Sequence, residues 1–344
     1  MTQQVRLLLI GAGNVGRRFL ELLVRKQETL HTRLGLELTV VGVADRSGAA
    51  ICPAGLAPQQ VVDLKLGGQG VAGYPRWGRV GLSALEMVQT TAADLLLEAS
   101  PANLKDGQPG LGCIETALSR GMHVVVANKA PLVLAFARLL TLAREHSVKL
   151  RFDATVAGGL PAVNLGQRDL GFAAIYRLEG ILNLTTNYIL TCMADDGLGY
   201  DEALSQAQAA GHAETDPGLD VEGWDAANKL VILAHSVLGY PATLDEVVVE
   251  GITHITPEKL KAAAAQGKRI KLVATAEREG DGYRLGVRPT SLDPDHPLAQ
   301  LGSKQMGVVY YTDICGIISA AIVEETPVPT AAAMLRDVVD IYSG

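Results

Sequence analysis

Between positions 211 and 235 the chain sets a run of carboxylates beside a single lysine. Glu214, Asp216, Asp220 and Glu222 stand with no basic residue among them, in a stretch punctuated by Gly211, Pro217, Gly218 and Gly223. Residues 226–234 that follow are apolar almost all round, which predicts a buried helix. That helix carries Asp225 in its first turn and Lys229 one turn later, so both lie on one face. An isolated pair at this spacing is most often a helix salt bridge of small worth. A buried lysine is rare unless paired or functional, and this one sits beside an acidic loop. Carboxylates around one lysine suit a substrate that carries an ammonium group and a hydroxyl or carbonyl.

A second chemistry opens the chain. Residues 5–10 form a short apolar run, followed by Gly11-Ala12-Gly13-Asn14-Val15-Gly16 and a helical stretch. This is the dinucleotide fingerprint in its required setting of strand, glycine turn and helix. Gly11 permits the tight turn, Gly13 lets a pyrophosphate approach the backbone, and Gly16 lets helix and strand pack closely. The helix N-terminus supplies amides for phosphate, with Asn14 and Val15 at its start. A second strand over 38–44 ends on Asp45, which could bond a ribose 2′-hydroxyl. Arg46 comes next and could instead hold a 2′-phosphate, so NAD and NADP both stay open. Lys65 could assist a phosphate, but a solvated surface lysine is the commoner case.

These residues need strand ends to hold them. Residues 51–81 are rich in Gly and Pro and are expected to be a long connection with one helical fragment near 59–64. Strand 95–98 leads to Ser100, and strand 123–126 ends in Ala127-Asn128-Lys129. In an open parallel sheet such carboxyl ends face the ligand crevice, which makes Ser100 and Lys129 candidate cofactor contacts. Strand–helix alternation to this point predicts a doubly wound parallel sheet. Later come Asp153-Ala154-Thr155-Val156-Ala157-Gly158-Gly159-Leu160-Pro161, a glycine turn before a helix-opening proline. The Thr185–Thr186 pair is placed to cap a helix. Strand-like segments at 247–252, 271–278, 283–289 and 307–311 give this half an α+β character with a mixed sheet. A closing helix spans 330–342.

Composition sets the limits. The 344 residues are 48% hydrophobic with a net charge of −7, which suits an α/β protein and argues against a nucleic-acid partner. No stretch approaches the length of a membrane span. Cys52, Cys113, Cys192 and Cys315 are far apart and have no metal-ligand spacing, so reduced thiols in a cytoplasmic protein are expected.

The segments 11–16, 127–129, 154–161, 180–190 and 213–229 together resemble the homoserine dehydrogenase family, in order and over nearly the whole length. The last, Ala-Glu-Thr-Asp-Pro through Asp-Val-Glu-Gly-Trp-Asp-Ala-Ala-Asn-Lys, is the most specific. The resemblance implies NAD(P)-dependent interconversion of L-homoserine and L-aspartate 4-semialdehyde, a step of threonine and methionine biosynthesis. It implies Lys129 and Lys229 as proton-handling residues. Of these, Lys129 is the expected proton acceptor, with Lys229 polarising the substrate oxygen. Glu214, Asp220 and Asp225 would hold the ammonium and water, with Thr185 and Gly211 as further substrate contacts. A monovalent cation, usually sodium, is implied in the loop of Asp153, Val156, Gly158 and Leu160. The implied fold is a Rossmann domain over 1–150, completed by 318–344, and a substrate-binding and dimerisation domain over 151–317 that forms a homodimer.

Two positions depart from the family pattern. Leu184 stands where glycine is usual, and Glu324-Glu325-Thr326-Pro327-Val328-Pro329 replaces a Gly/Ala-rich turn. These leave room for a dehydrogenase of a related amino-acid-derived substrate, or for a dinucleotide-binding sensor without turnover. The chain stops before an ACT domain could fit, so threonine feedback through one is not expected.

Overall fold

Leu7, Leu8 and Leu9 of the first strand are each fully buried, as a strand covered on both faces must be. The computed structural model describes residues 2–343. The chain forms two compact units, Met1–Gly159 with Thr326–Gly344, and Leu160–Glu325.

The first unit begins with β1 (Gln3–Ile10), α1 (Asn14–Leu34), β2 (Leu36–Asp45), β3 (Gly48–Ile51) and α2 (Pro58–Leu66). It continues through β4 (Gly78–Val80), α3 (Ala84–Thr90), β5 (Leu95–Glu98), α4 (Gly110–Ser119), β6 (His123–Val126), α5 (Lys129–Glu145) and β7 (Leu150–Arg151). These strands make a seven-stranded sheet in the order β4-β3-β2-β1-β5-β6-β7. Strands β2, β1, β5, β6 and β7 pair in parallel, which is the doubly wound arrangement anticipated. Strands β3 and β4 pair antiparallel at one edge. The connection expected over 51–81 is therefore partly sheet. At four and three residues, these strands are too short for alternation to mark them.

The last helix of the chain, α12 (Val328–Ser343), belongs to this unit. Its Ala331, Met334, Val338 and Ile341 share one core with Phe19 and Leu23 of α1 and with Leu7, Leu9 and Val43 of the sheet.

The second unit holds α6 (Ala162–Asn164), β8 (Ile175–Ile181), α7 (Leu184–Asp196), α8 (Tyr200–Ala209), α9 (Gly218–Val221) and α10 (Trp224–Ser236). After these come β9 (Val247–Val249), α11 (Pro257–Ala264), β10 (Arg269–Glu279), β11 (Gly282–Leu292), β12 (Gln305–Thr312) and β13 (Ile317–Val323). Its sheet runs β13-β12-β8-β10-β11-β9. All its pairs are antiparallel except β11 with β9, so the sheet is mixed as expected. Residues 318–323, expected to return to the first unit, instead pair with β12. Helices α7, α10 and α11 pack on β10. Lys271 of β10 is 1% exposed and donates to Asn187 Oδ1, Thr191 Oγ1 and the Leu301 carbonyl. These bonds use all three ammonium protons and offset its burial.

Among the described residues no helix is long and apolar enough to cross a membrane.

Candidate active site

In the first unit the glycine turn is built as the fingerprint demands. Gly11 has φ +86°, and a Cβ there would lie 2.3 Å from the Ala99 carbonyl oxygen. A Cβ on Gly16 would come within 1.9 Å of the Gly11 carbonyl oxygen, so helix and turn can touch only through glycine. A Cβ on Gly13 would meet nothing within 4 Å. Packing within the chain therefore gives no reason for this glycine, whereas close approach of a ligand does. Gly13 is also the N-cap of α1, which starts at Asn14 and has neither a capping side chain nor an acidic residue in its first turn. The first amides of the helix are thus left to an anion.

Asp45 ends β2 with both carboxylate oxygens engaged. One accepts the Ser47 amide at 2.8 Å and the Ser47 hydroxyl at 2.6 Å. The other accepts Lys65 Nζ at 2.6 Å and the Val71 amide at 3.2 Å. Burial alone would raise the carboxyl, but Lys65, Ser47 and the Val71 amide outweigh it and hold the pKa below its ordinary value. Lys65 is therefore a part-buried partner of Asp45 rather than a solvated surface lysine. Arg46 is exposed.

Ser100 and Lys129 stand at neighbouring strand ends. The Ser100 hydroxyl donates to the wholly buried Glu98, and its amide does so at 2.9 Å. The Asn128 amide reaches Ser100 Oγ at 3.3 Å, and Asn128 Oδ1 caps α5 by accepting the Ala130 amide at 3.0 Å. Lys129 is thereby fixed as the first residue of that helix.

Beyond β7 the chain turns through left-handed Ala157 and Gly158, at φ +52° and +61°. Asp153 at the head of this loop has a side chain shielded completely from solvent and pairs with Arg336 of α12. The same guanidinium donates to the Gly159 carbonyl at 3.3 Å. The Asp153 amide donates to Asp337 at 2.9 Å.

The second unit assembles the residues of the acidic stretch. Asn183 ends the segment after β8, and its side-chain oxygen accepts the Thr186 amide at 2.9 Å, which caps α7. The cap is therefore Asn183 and not the Thr185–Thr186 pair expected there, which lies inside the first turn of α7. The Asn183 amide nitrogen donates to Asp220 Oδ1 and to Asp225 Oδ2, both at 2.8 Å. Lys229 donates to Asp225 Oδ2 at 2.6 Å and to the Leu182 carbonyl at 2.7 Å. Thr185 Oγ1 lies 2.6 Å from the His212 carbonyl and 3.1 Å from Asp220 Oδ2. Burial first, and then the nearby Asp225 charge, raise the Asp220 carboxyl above its ordinary pKa, against the opposing pull of Asn183, Lys229 and Thr185.

Not every expected residue joins this cluster. The Glu214 side chain is exposed, and its carbonyl accepts from Gln208 at 3.1 Å. Gly211 is exposed at φ +75°. Leu184 is the first residue of α7 and is half-buried. Asn183, which links the two carboxylates, is the member that residue types alone did not single out. Its place two residues before Thr185, at the head of a helix, was the available clue.

The cluster holds the Asp220 and Asp225 carboxylates side by side, with the Lys229 ammonium on Asp225. Lys229 spends two of its three N–H donors within the chain and keeps one for a ligand oxygen. A ligand with an ammonium and an oxygen suits the two carboxylates and the remaining Lys229 donor.

Comparison with known proteins agrees with this chemistry. Residues 161–339 match the family model for homoserine dehydrogenase. The chain is 36% identical to a homoserine dehydrogenase of Methanocaldococcus jannaschii over 337 residues, covering 98% of each. It is 35% identical to an NAD(+)-dependent homoserine dehydrogenase of Pseudomonas canavaninivorans, covering 98% of this chain and 96% of that one. The crystal structure of a putative homoserine dehydrogenase from Archaeoglobus fulgidus superposes with a TM-score of 0.88 at 37% identity, over 99% of this chain and 100% of that one. A hyperthermophilic archaeal homoserine dehydrogenase mutant in complex with NADPH gives a TM-score of 0.85 at 25% identity, over 98% and 97%. The chain belongs to the homoserine dehydrogenase family.

Proposed function

We propose that this protein interconverts L-homoserine and L-aspartate 4-semialdehyde with NAD(P), in the biosynthesis of threonine and methionine. The observation that carries the reading is the cluster of Asp220 and Asp225 joined by Asn183, with Lys229 on the second carboxylate. Two adjoining carboxylates suit the substrate ammonium, and the remaining donor of Lys229 suits the oxygen on C4.

In this reading the first unit holds the dinucleotide and the second holds the amino acid. The first amides of α1 and the open face of Gly13 take the pyrophosphate, and Asp45 with Arg46 and Lys65 meets the adenosine ribose. A bound NAD(P) supplies the hydride acceptor or donor. Everything else falls to side chains. Asp220 and Asp225 orient the substrate through its ammonium, Thr185 keeps Asp220 in place, and Lys229 polarises the C4 oxygen. Lys129 takes the hydroxyl proton during oxidation and returns it during reduction. Glu214, exposed on the stretch that leads into α9, is the third carboxylate proposed for the ammonium. One relative is named for NAD(+) and another was solved with NADPH, which supports NAD(P) without choosing between them. A cytoplasmic homodimer completes the proposal, supported by the exposed apolar Ile317 and Val323 on the edge strand β13.

The test is reduction of NAD(P)+ by L-homoserine, followed by absorbance and compared with a four-carbon alcohol lacking the amine. Leaving the carboxylates unpaired costs roughly 2–5 kcal/mol, so kcat/KM should fall by about two to three orders of magnitude without the ammonium. Comparable turnover of both alcohols would sink the assignment.

A further inference from the structure

A buried carboxylate needs a counter-charge, and a solution cation is only one way to supply it. In the loop that starts at Asp153 the chain supplies its own. The Asp153 side chain is fully shielded, and the Arg336 guanidinium pairs with it. The same group also donates to the Gly159 carbonyl, at 3.4 Å and 3.3 Å from its two terminal nitrogens. The left-handed backbone at Ala157 and Gly158 precedes that carbonyl, so the turn and the carboxylate close on one guanidinium. Asp337, next to Arg336 on α12, accepts the Asp153 amide at 2.9 Å and fixes the head of the loop.

A monovalent cation fits this arrangement poorly. It would be held by loop oxygens, with Asp153 as the one negative side chain among Asp153, Val156, Gly158 and Leu160. That carboxylate is already neutralised. Of the backbone carbonyls in the set, that of Asp153 accepts the Val156 amide at 3.3 Å, and that of Leu160 accepts the Ala162 amide at 2.8 Å. A cation added here would also face the charge of Arg336, which cannot be shed by deprotonation.

We propose that Arg336 stands in for the monovalent cation that the family resemblance places in this loop, so that the protein folds and works without one. Arginine suits the substitution because its planar fork can bond a carboxylate and a carbonyl together. A sodium ion is exchanged with solvent, whereas Arg336 is delivered by the same helix that packs in the core of the unit. The proposal takes from the functional reading only the expectation of a cation in this loop. Its tests read stability and ion response as well as turnover.

Thermal unfolding of the full chain is followed in choline, sodium and potassium chloride at one ionic strength. The wild-type Tm should be the same in all three. Arg336→Ala should lower the Tm in choline chloride by roughly 5 °C or more and then regain part of it saturably with sodium or potassium, as the ion enters the vacated place. Arg336→Lys keeps a charge there and should respond far less to the ion than the alanine variant. A wild-type Tm that rises saturably with sodium or potassium, and not with choline, overturns the proposal. So does an alanine variant with no ion-specific gain. If the alanine variant does not fold, the wild-type series and the lysine variant decide. Homoserine oxidation by the wild type should be equal in the three salts. Loss of that activity in every salt would count against the functional reading and leave the Tm result standing.

Discussion

One side-chain amide, that of Asn183, donates a proton to Asp220 and another to Asp225, each at 2.8 Å. The two carboxylates are thereby held at a fixed separation although they repel, and Lys229 donates to Asp225. Burial and the Asp225 charge push the Asp220 carboxyl up, and a bound ammonium would relieve that strain. Asn183→Ala removes the shared donor, leaving the carboxylates to repel and α7 without its cap. Loss of hydrogen bonds to charged groups at roughly 1.5–3 kcal/mol each should lower kcat/KM for L-homoserine by about 10²-fold or more, mainly through KM. Circular dichroism of the variant controls for loss of the helix cap. A variant with unchanged KM would show that Asn183 does no more than cap the helix.

Which parts of this were legible in the sequence follows from how local each signal is. Helix α10 was legible because its apolar residues surround it and Asp225 and Lys229 fall one turn apart. The glycine turn was legible because Gly11 and Gly16 answer to backbone atoms at close range. The role of Asn183 was not, since a helix cap and a carboxylate bridge share one residue type, and its partners lie 37 and 42 positions away. The pairing of Arg336 with Asp153 spans 183 positions and has no local pattern at all. Strand β13 escaped because exposed residues alternate with only partly buried ones, so no face of it reads as core.

The adenosine end gives a prediction about cofactor choice. Asp45 is neutralised by Lys65, which lowers the repulsion that a bare carboxylate would exert on a 2′-phosphate. Arg46 is exposed next to it and is free to turn towards that phosphate. Arg46→Ala should raise the KM for NADP several-fold and leave that for NAD nearly unchanged. Lys65→Ala uncovers the Asp45 charge and should shift the preference further towards NAD. Equal effects on both cofactors would show that neither residue reads the phosphate.

Glu98 ties the stability of the fold to pH. Its burial lifts the carboxyl from an ordinary 4.5 to about 7, despite the opposing hydrogen bonds of Ser100 and Asn128. The folded state therefore binds the proton more tightly than the unfolded state. Stability tied to this group is complete below about pH 4.5 and is lost as pH rises through 7. With 1.36 kcal/mol for each pKa unit, the loss amounts to roughly 3 kcal/mol. Glu98→Gln cannot ionise and should remove that slope. Urea unfolding at pH 5 and pH 8 should then show the wild type losing more stability than the variant over the interval. Parallel pH dependence in the two proteins would rule the assignment out.

Lys229 is tied to Asp225 and to the Leu182 carbonyl, at 2.6 and 2.7 Å, on a helix buried almost all round. Its ammonium is tied at two points, and it also holds Asp225, one of the carboxylates proposed to bind substrate. Losing it should impair binding and chemistry together, so Lys229→Ala should raise KM and lower kcat. Lys129 belongs to the first unit, as the first residue of α5 just beyond β6. If it is the proton acceptor, its loss removes general base catalysis and leaves the ammonium pocket intact. General acid–base catalysis contributes about 10²–10⁴-fold. Lys129→Ala should therefore cut kcat by about that factor with little change in KM for L-homoserine. Steady-state kinetics of both variants, with KM measured for each substrate separately, distinguishes the roles. A Lys129→Ala variant that raises KM while keeping kcat, beside a Lys229→Ala variant that loses kcat alone, would exchange the two assignments.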